Sequence, residues 1–176
     1  PEIRLVIRET NLTVTKCKKK GLNGLFVLSA IKALYPKASS FIAPTVSVAE
    51  DFGKIIDPSK IPTTIIPNFI DTEELEQRGL DDVDDERFAD LKGPILLSVG
   101  RLVDQKDYST ALKAMQMIME KTDCHYVILG EGPLETDLKK QAKDLGISNR
   151  VHFLGFKANP YPYFKKADLF LMTSWV

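Results

Sequence analysis

Arg101 and Lys106 are the residues whose type and spacing point most clearly to chemistry. They lie in Gly100-Arg101-Leu102-Val103-Asp104-Gln105-Lys106, directly after the apolar run Pro94-Ile95-Leu96-Leu97-Ser98-Val99. The run reads as a buried strand ending at a glycine, and a helix pattern begins at Asp107. Two cations therefore stand between the carboxyl end of a strand and the amino end of a helix. Ligands of open α/β sheets bind at that edge, where the free N–H groups and dipole of the helix favour an anion. Arginine offers a planar fork for two phosphate oxygens, and lysine a point charge. Diphosphate binding is the chemistry this spacing suits; two solvated loop cations are the alternative.

The elements needed to position that pair are legible between residues 93 and 176. Strand-like runs fall at 94–99, 124–130, 150–154 and 168–174. A helix pattern over 108–121 repeats Ala111, Leu112, Met115, Ile118 and Met119 at helical spacing. A second, over 134–145, starts after Pro133 and stops at Gly146, and a short third covers about 161–166. Near-continuous apolar strands alternating with helices predict a parallel sheet covered on both faces. Gly130-Glu131-Gly132-Pro133 follows the second strand. It reads either as a glycine turn with proline opening a helix or as backbone approaching a nucleotide. It lacks the third glycine of a dinucleotide fingerprint.

Residues 1–70 repeat the rhythm more loosely, with strands at 3–7 and 40–44, helices at 25–34 and 46–56, and an extended segment at 60–67. Pro62 and Pro67 exclude a central strand over the whole of that last segment. Residues 71–92 are strongly polar and read as an interdomain linker with a short helix around 85–91. Within them, Asp82-Val83-Asp84 imitates an Asp-x-Asp metal site, but no buried strand precedes it, so a solvated acidic stretch is expected.

Composition bounds the partners. The 176 residues are 44% hydrophobic and 27% charged with net charge zero, which argues against nucleic acid as the main partner. Cys17 and Cys124 are far apart and lack metal-ligand spacing, as expected of incidental thiols in a reducing compartment. His125 and His152 lie in strand runs and read as packed or surface imidazoles. Lys16 and Cys17-Lys18-Lys19-Lys20 form a basic cluster before an apolar helix pattern; a solvated loop is the first reading and contact with anionic lipid the second.

Four segments in order carry a resemblance. Gly100-Arg101-Leu102 with Lys106, Gly130-Glu131-Gly132-Pro133-Leu134, Val151-His152-Phe153-Leu154-Gly155, and Ala167-Asp168-Leu169-Phe170-Leu171 up to Ser174 resemble the C-terminal nucleotide-binding domain of the family-4 retaining glycosyltransferases. Upstream, Ala43-Pro44-Thr45-Val46-Ser47 and Ile65-Ile66-Pro67-Asn68-Phe69-Ile70-Asp71 resemble the end of that family's N-terminal domain and its crossover. The resemblance implies the GT-B fold, two Rossmann-like α/β domains with parallel sheets and helices on both faces. On this reading 1–70 is the end of the N-terminal domain and 93–176 the first half of the C-terminal one. It further implies transfer, with retention and without a metal or other cofactor, of a hexose-type sugar from a UDP- or GDP-sugar. Arg101 and Lys106 would hold the donor diphosphate. Gly100, Gly130 and Gly132 would bring backbone to the nucleotide, and Gly155, Phe156 and Lys157 would meet the base. The implied acceptor is a saccharide or a lipid-linked glycan, in polysaccharide or glycolipid synthesis, in the cytoplasm or at the inner face of the membrane.

There are departures. Asp107 stands where the family usually has glycine, so its carboxylate is expected to turn back and cap the helix. Phe69 replaces a common crossover glycine. The family's spaced pair of glutamates would follow Val176, so the sequence reads as a piece of a longer protein, incomplete at both ends and without turnover of its own. A GT-B UDP-sugar 2-epimerase and a non-catalytic nucleotide-sugar-binding module remain open. A dehydrogenase is disfavoured, because the first strand ends in Gly-Arg-Leu.

Overall fold

The structure, a computed structural model, describes residues 4–18, 20–57 and 59–175. The chain divides into two compact units, Pro1–Ile70 and Asp71–Val176.

In the first unit the order is β1 (Val6–Arg8), α1 (Thr13–Lys18), α2 (Gly21–Leu34), β2 (Ser40–Ala43), α3 (Val46–Gly53) and β3 (Thr63–Ile65). The strands are parallel in the order β1-β2-β3. β3 is thus an edge, as its flanking prolines require. Phe41 of β2 stacks on Phe52 of α3 with ring centroids 3.7 Å apart, and Ile31, Ile56 and Ile61 close the core around them. Thr45 caps α3 by accepting from the Val48 N–H. Asp51 of α3 is buried and accepts from the N–H groups of Val14 and Thr15 and from the Thr15 hydroxyl, so a side chain of α3 caps α1.

Two expectations change here. Ile3 lies outside the described residues, and the first strand sits at Val6–Arg8. The helix expected from Leu25 begins at Gly21 and is preceded by α1, a turn whose polar sequence gives no periodic signal.

The second unit continues with α4 (Thr72–Arg78), α5 (Glu86–Ala89), β4 (Ile95–Val99), α6 (Tyr108–Met119), β5 (His125–Leu129), α7 (Glu135–Asp144), β6 (Val151–Gly155), α8 (Tyr161–Lys166) and β7 (Leu169–Phe170). All pairings are parallel, in the order β6-β5-β4-β7. Successive side chains of a strand point to opposite faces, and both faces are buried. Leu96, Tyr126 and Ile128 meet Leu112, Met115 and Leu138 of α6 and α7. Ile95, Leu97, Val127 and Leu129 meet Phe88 of α5 and Tyr163 of α8.

The segment 71–92 is therefore not a bare linker. Asp71 caps α4 through the Glu74 N–H, Asp85 caps α5, and Phe88 inserts into the core of the second unit. The last strand is shorter than the apolar run 168–174, because Thr173 and Trp175 leave the sheet to bond the loop after β4.

Candidate functional site

Three adjacent strands end on glycine at the carboxyl edge of the second sheet. Gly100 follows β4, Gly130 follows β5, and Gly155 ends β6. Backbone bonds tie them in sequence: the Gly100 N–H donates to Leu129 O, and the Gly130 N–H donates to Gly155 O at 2.7 Å. At Gly130 φ is +134°, and a Cβ would stand 2.1 Å from the Gly100 carbonyl oxygen. A Cβ on Gly132 would stand 2.4 Å from Leu102 O. The loops after β4 and β5 are laid directly on one another, with Leu102 N–H donating to Glu131 O and Leu134 N–H to Leu102 O. These glycines are therefore needed for the close packing of two loops, whatever else they do.

Between these loops and the one after β6 opens a cleft of about 550 Å³. Gly100, Arg101, Gly130, Phe156 and Lys157 all line it, with Val99, Leu129 and Pro160 as apolar wall. Arg101 is exposed and forms no ion pair among the described residues, so its full charge is available to a ligand. The backbone N–H of Phe156 donates to Glu131 Oε1, holding the third loop against the second. Phe156 itself presents its ring to solvent.

Lys106 is not in the lining of that cleft. Its side chain crosses Gly100, with Cε 3.3 Å from where a Cβ on Gly100 would lie, and it faces a narrow recess beside Ser98, Tyr108 and Thr173. Its loop is clasped from several sides. The Tyr108 hydroxyl donates to Gly100 O; the Thr173 hydroxyl donates to Lys106 O or Asp107 O; and Trp175 donates from its indole to Asp104 O. Burial pushes the Tyr108 phenol up to about 12, so it stays a donor. Asp107 takes the left-handed conformation, φ 47° and ψ 47°, and its carboxylate accepts from the Thr110 N–H. That is the cap expected of it, and the backbone shape explains why glycine suits the position.

Lys157 differs from its expectation. It is 12% exposed, and its Nζ lies 3.1 Å from Asp84 Oδ1 and 3.2 Å from Asp85 Oδ2. Asp85 also takes Arg87, and Asp84 accepts from the Tyr163 hydroxyl. The Arg87 bond, against the cost of burial, holds the Asp85 carboxyl down at about 2. Burial alone would lower the Lys157 pKa, but bonds to Tyr163, Asp84 and Asp85 raise it instead. A lysine held between two carboxylates has little charge left for a phosphate. Asp82 and Asp84 are exposed, as expected of a solvated acidic stretch, while Asp85 is buried; through Lys157, Asp84 and Asp85 anchor the loop that carries Phe156. No sequence signal pairs Lys157 with residues more than 70 positions away.

Other expectations resolve plainly. His125 and His152 meet on neighbouring strands, Nδ1 to Nε2 at 3.1 Å, away from the residues of the cleft. Burial and the neighbouring His125 lower the His152 pKa. Both cysteines are buried thiols. Among the described residues no three His, Cys, Asp or Glu side chains gather as a metal site, and no helix is long and apolar enough to cross a membrane.

Residues 81–176 match the family model described as Glycosyl transferases group 1. The chain belongs to that family. The group 1 assignment agrees with a Campylobacter jejuni relative, an N-acetylgalactosaminyltransferase acting on a diphospho-undecaprenol-linked glycan. It is 34% identical over 171 residues, 97% of this chain and 45% of the relative. The alpha-monoglucosyldiacylglycerol synthase of Streptococcus pneumoniae is 29% identical over 127 residues, 70% of this chain and 29% of that enzyme. Among solved structures, Anabaena HepE in complex with UDP and glucose superposes with a TM-score of 0.72 at 18% identity, over 97% of this chain and 46% of that one. WaaG, a glycosyltransferase of lipopolysaccharide biosynthesis, gives 0.67 at 17% identity, over 99% and 51%. The fold is that of the GT-B glycosyltransferases, and the chain spans about half the length of the Campylobacter relative, HepE and WaaG and less of the Streptococcus one.

Proposed function

We propose that this chain is the donor-binding part of a retaining glycosyltransferase that moves a hexose-type sugar from a UDP- or GDP-sugar. The acceptor is a saccharide or a lipid-linked glycan, and the work is done at the cytoplasmic face of a membrane. As the glycosidic bond to the donor breaks, negative charge builds on the leaving diphosphate. Fixed cations and helix N–H groups aimed at it stabilise that state more than the ground state, without a metal. Arg101 takes this role from the cleft wall. Lys106 approaches from the adjoining loop at the amino end of α6. Phe156 and the apolar wall offer a surface for a base. Lys157 acts as a positioning residue for that loop. The relatives named above, a polyprenol-linked glycan transferase and a glycolipid synthase, support the acceptor class.

The carrying observation is an arginine that forms no ion pair among the described residues, in a cleft at the carboxyl edge of a parallel sheet. Calorimetric titration of the chain with UDP and with GDP tests it, beside Arg101→Ala and Lys106→Ala. Losing a hydrogen bond to a charged group costs about 1.5–3 kcal/mol, so each variant should bind at least tenfold more weakly. Nucleotide binding indifferent to both substitutions would refute the diphosphate site.

A further inference from the structure

The chain contains two histidines, 27 positions apart, and the fold of the second unit brings them into contact. His125 opens β5 two residues before Val127, and His152 lies in β6 two residues before Leu154. Side chains two apart share a face of a strand. Both rings therefore stand at the amino end of the face that carries Val127, Leu129 and Leu154. The backbones are fixed there: the His125 N–H donates to Pro94 O, the Tyr126 N–H donates to Arg150 O, and Val127 pairs with His152 in the ladder. The nucleotide cleft lies at the carboxyl end of the same strands and uses neither ring. Cys124, next to His125 in sequence, belongs to the core on the opposite face.

His125 Nδ1 and His152 Nε2 are 3.1 Å apart, so one ring donates its proton to the other. The same spacing is the bite of a chelate. Two imidazole nitrogens about 2.05 Å from one ion and 3.1 Å from each other subtend about 98° at it, between the octahedral and tetrahedral angles. Each lone pair need turn only about 40° from the line joining the nitrogens, within the broad χ2 range of histidine. The bridging proton passes to the far nitrogen of its own ring, so two neutral imidazoles bind without net proton release. A recess of about 350 Å³ beside His152 leaves room for waters to complete the coordination. The two cations lining it are already balanced, Arg87 by Asp85 and Lys139 by Glu135. Burial, and after it the proximity of His125 and Arg87, lowers the His152 pKa. At neutral pH that ring thus keeps the lone pair a metal requires.

We infer that His125 and His152 form a two-point site for a divalent transition-metal ion, Zn²⁺, Ni²⁺ or Cu²⁺, which ties β5 to β6 at the amino edge of the sheet. Imidazole nitrogen suits these ions, whereas Mg²⁺ and Ca²⁺ take oxygen ligands. Bound there, the ion stabilises the second unit and takes no part in the transfer of a sugar. The inference needs no nucleotide, so it stands or falls separately from the donor site.

Zinc chloride alone is the probe, added to the whole chain. Long-range ¹H–¹⁵N NMR resolves the nitrogens of the two rings, the only imidazoles in the chain. An equimolar amount of Zn²⁺ at neutral pH should move His125 Nδ1 and His152 Nε2 together and leave the far nitrogens protonated. Calorimetry should give one ion per chain, and magnesium chloride should give no heat. His125→Asn and His152→Asn each keep one imidazole and lose the chelate, so each should bind about a hundredfold more weakly. Binding should also fade below about pH 6.5, as the rings protonate. The Tm followed at Trp175 should rise with Zn²⁺ and fall back when a chelator removes it. The inference fails if Zn²⁺ leaves both ring nitrogens unmoved, if one ring alone responds, or if either single variant binds as tightly as the parent chain. The NMR measurement needs no substitution, so a variant that does not fold cannot shelter the inference.

Discussion

Replacing Gly130 by alanine tests the architecture of the cleft at its tightest point. The new Cβ would lie 2.1 Å from Gly100 O and 2.8 Å from Gly100 C, where ordinary contact begins at 3.4 Å. The ends of β4 and β5 must then separate, and neither is the loose end of a flexible side chain. Such overpacking costs about 1–3 kcal/mol. Holding alanine at φ +134° adds about 1–3 kcal/mol more. The sum, about 4 kcal/mol, is a large share of the roughly 5–15 kcal/mol that holds a domain. For a unit of this size each kcal/mol moves Tm by about 4–8 °C, so a fall of 15 °C or more is expected. Gly146→Ala is the control, because its φ is +72° but nothing lies within 4 Å of a Cβ there. It should carry only the backbone cost, a fall of about 5–10 °C. Trp175 is the single tryptophan and donates to Asp104 O, so its fluorescence follows the second unit and the clasped loop. If Gly130→Ala melts no lower than Gly146→Ala, the close approach of the two loops is not what the glycine is for.

In the first unit, burial would raise the Asp51 pKa, but bonds from Thr15, Lys54 and Val14 outweigh it and hold the group below its ordinary value of 3.8. A depressed folded pKa gives stability that is present above the unfolded value and lost as pH falls through the folded one. The protection of the Val14 and Thr15 amides, measured against their intrinsic exchange rates, should therefore fall below about pH 4. Asp51→Ala should abolish their protection at neutral pH, costing about 1–2 kcal/mol as a lost cap; protection that survives would exclude the cap. In the second unit, Lys157→Met leaves Asp85 with Arg87 alone and should destabilise on the order of 3 kcal/mol in urea unfolding. It should weaken nucleotide binding less than Arg101→Ala does. The reverse order would return Lys157 to the phosphate.

Legibility of the fold followed the strength of local patterns. β4, α6, β5 and α7 were readable because their apolar residues recur at strand or helix spacing and their ends carry glycine, proline or a capping acid. α1 was not, since its start depends on Asp51, 37 residues after Val14. α4 did carry a signal, Asp71 three residues before Glu74, but it was submerged in a polar stretch. In the site, Gly100, Gly130 and Gly155 reach one edge because parallel strands place like ends together. The fate of Lys157 was illegible for the converse reason. The sequence shows a charge after a strand, and only the fold brings Asp84 and Asp85 to it.

That contrast separates cations that build the cleft from one that can serve a ligand. Lys157 and Arg87 are balanced by Asp84 and Asp85, and the four charges fix the position of the Phe156 loop. Lys106 stands apart from that set, its loop held by Thr173 and Trp175 through backbone carbonyls rather than by carboxylates. Arg101 forms no ion pair among the described residues, and Glu131, which lines the same cleft, accepts from the Phe156 N–H. On the proposed reading, a site for an anionic leaving group gains most when its structural charges cancel among themselves. The remaining cations then need not be stripped from a carboxylate before they meet the ligand. Asp107 follows the same logic on a smaller scale, since its carboxylate is turned onto the Thr110 N–H, where it serves the helix.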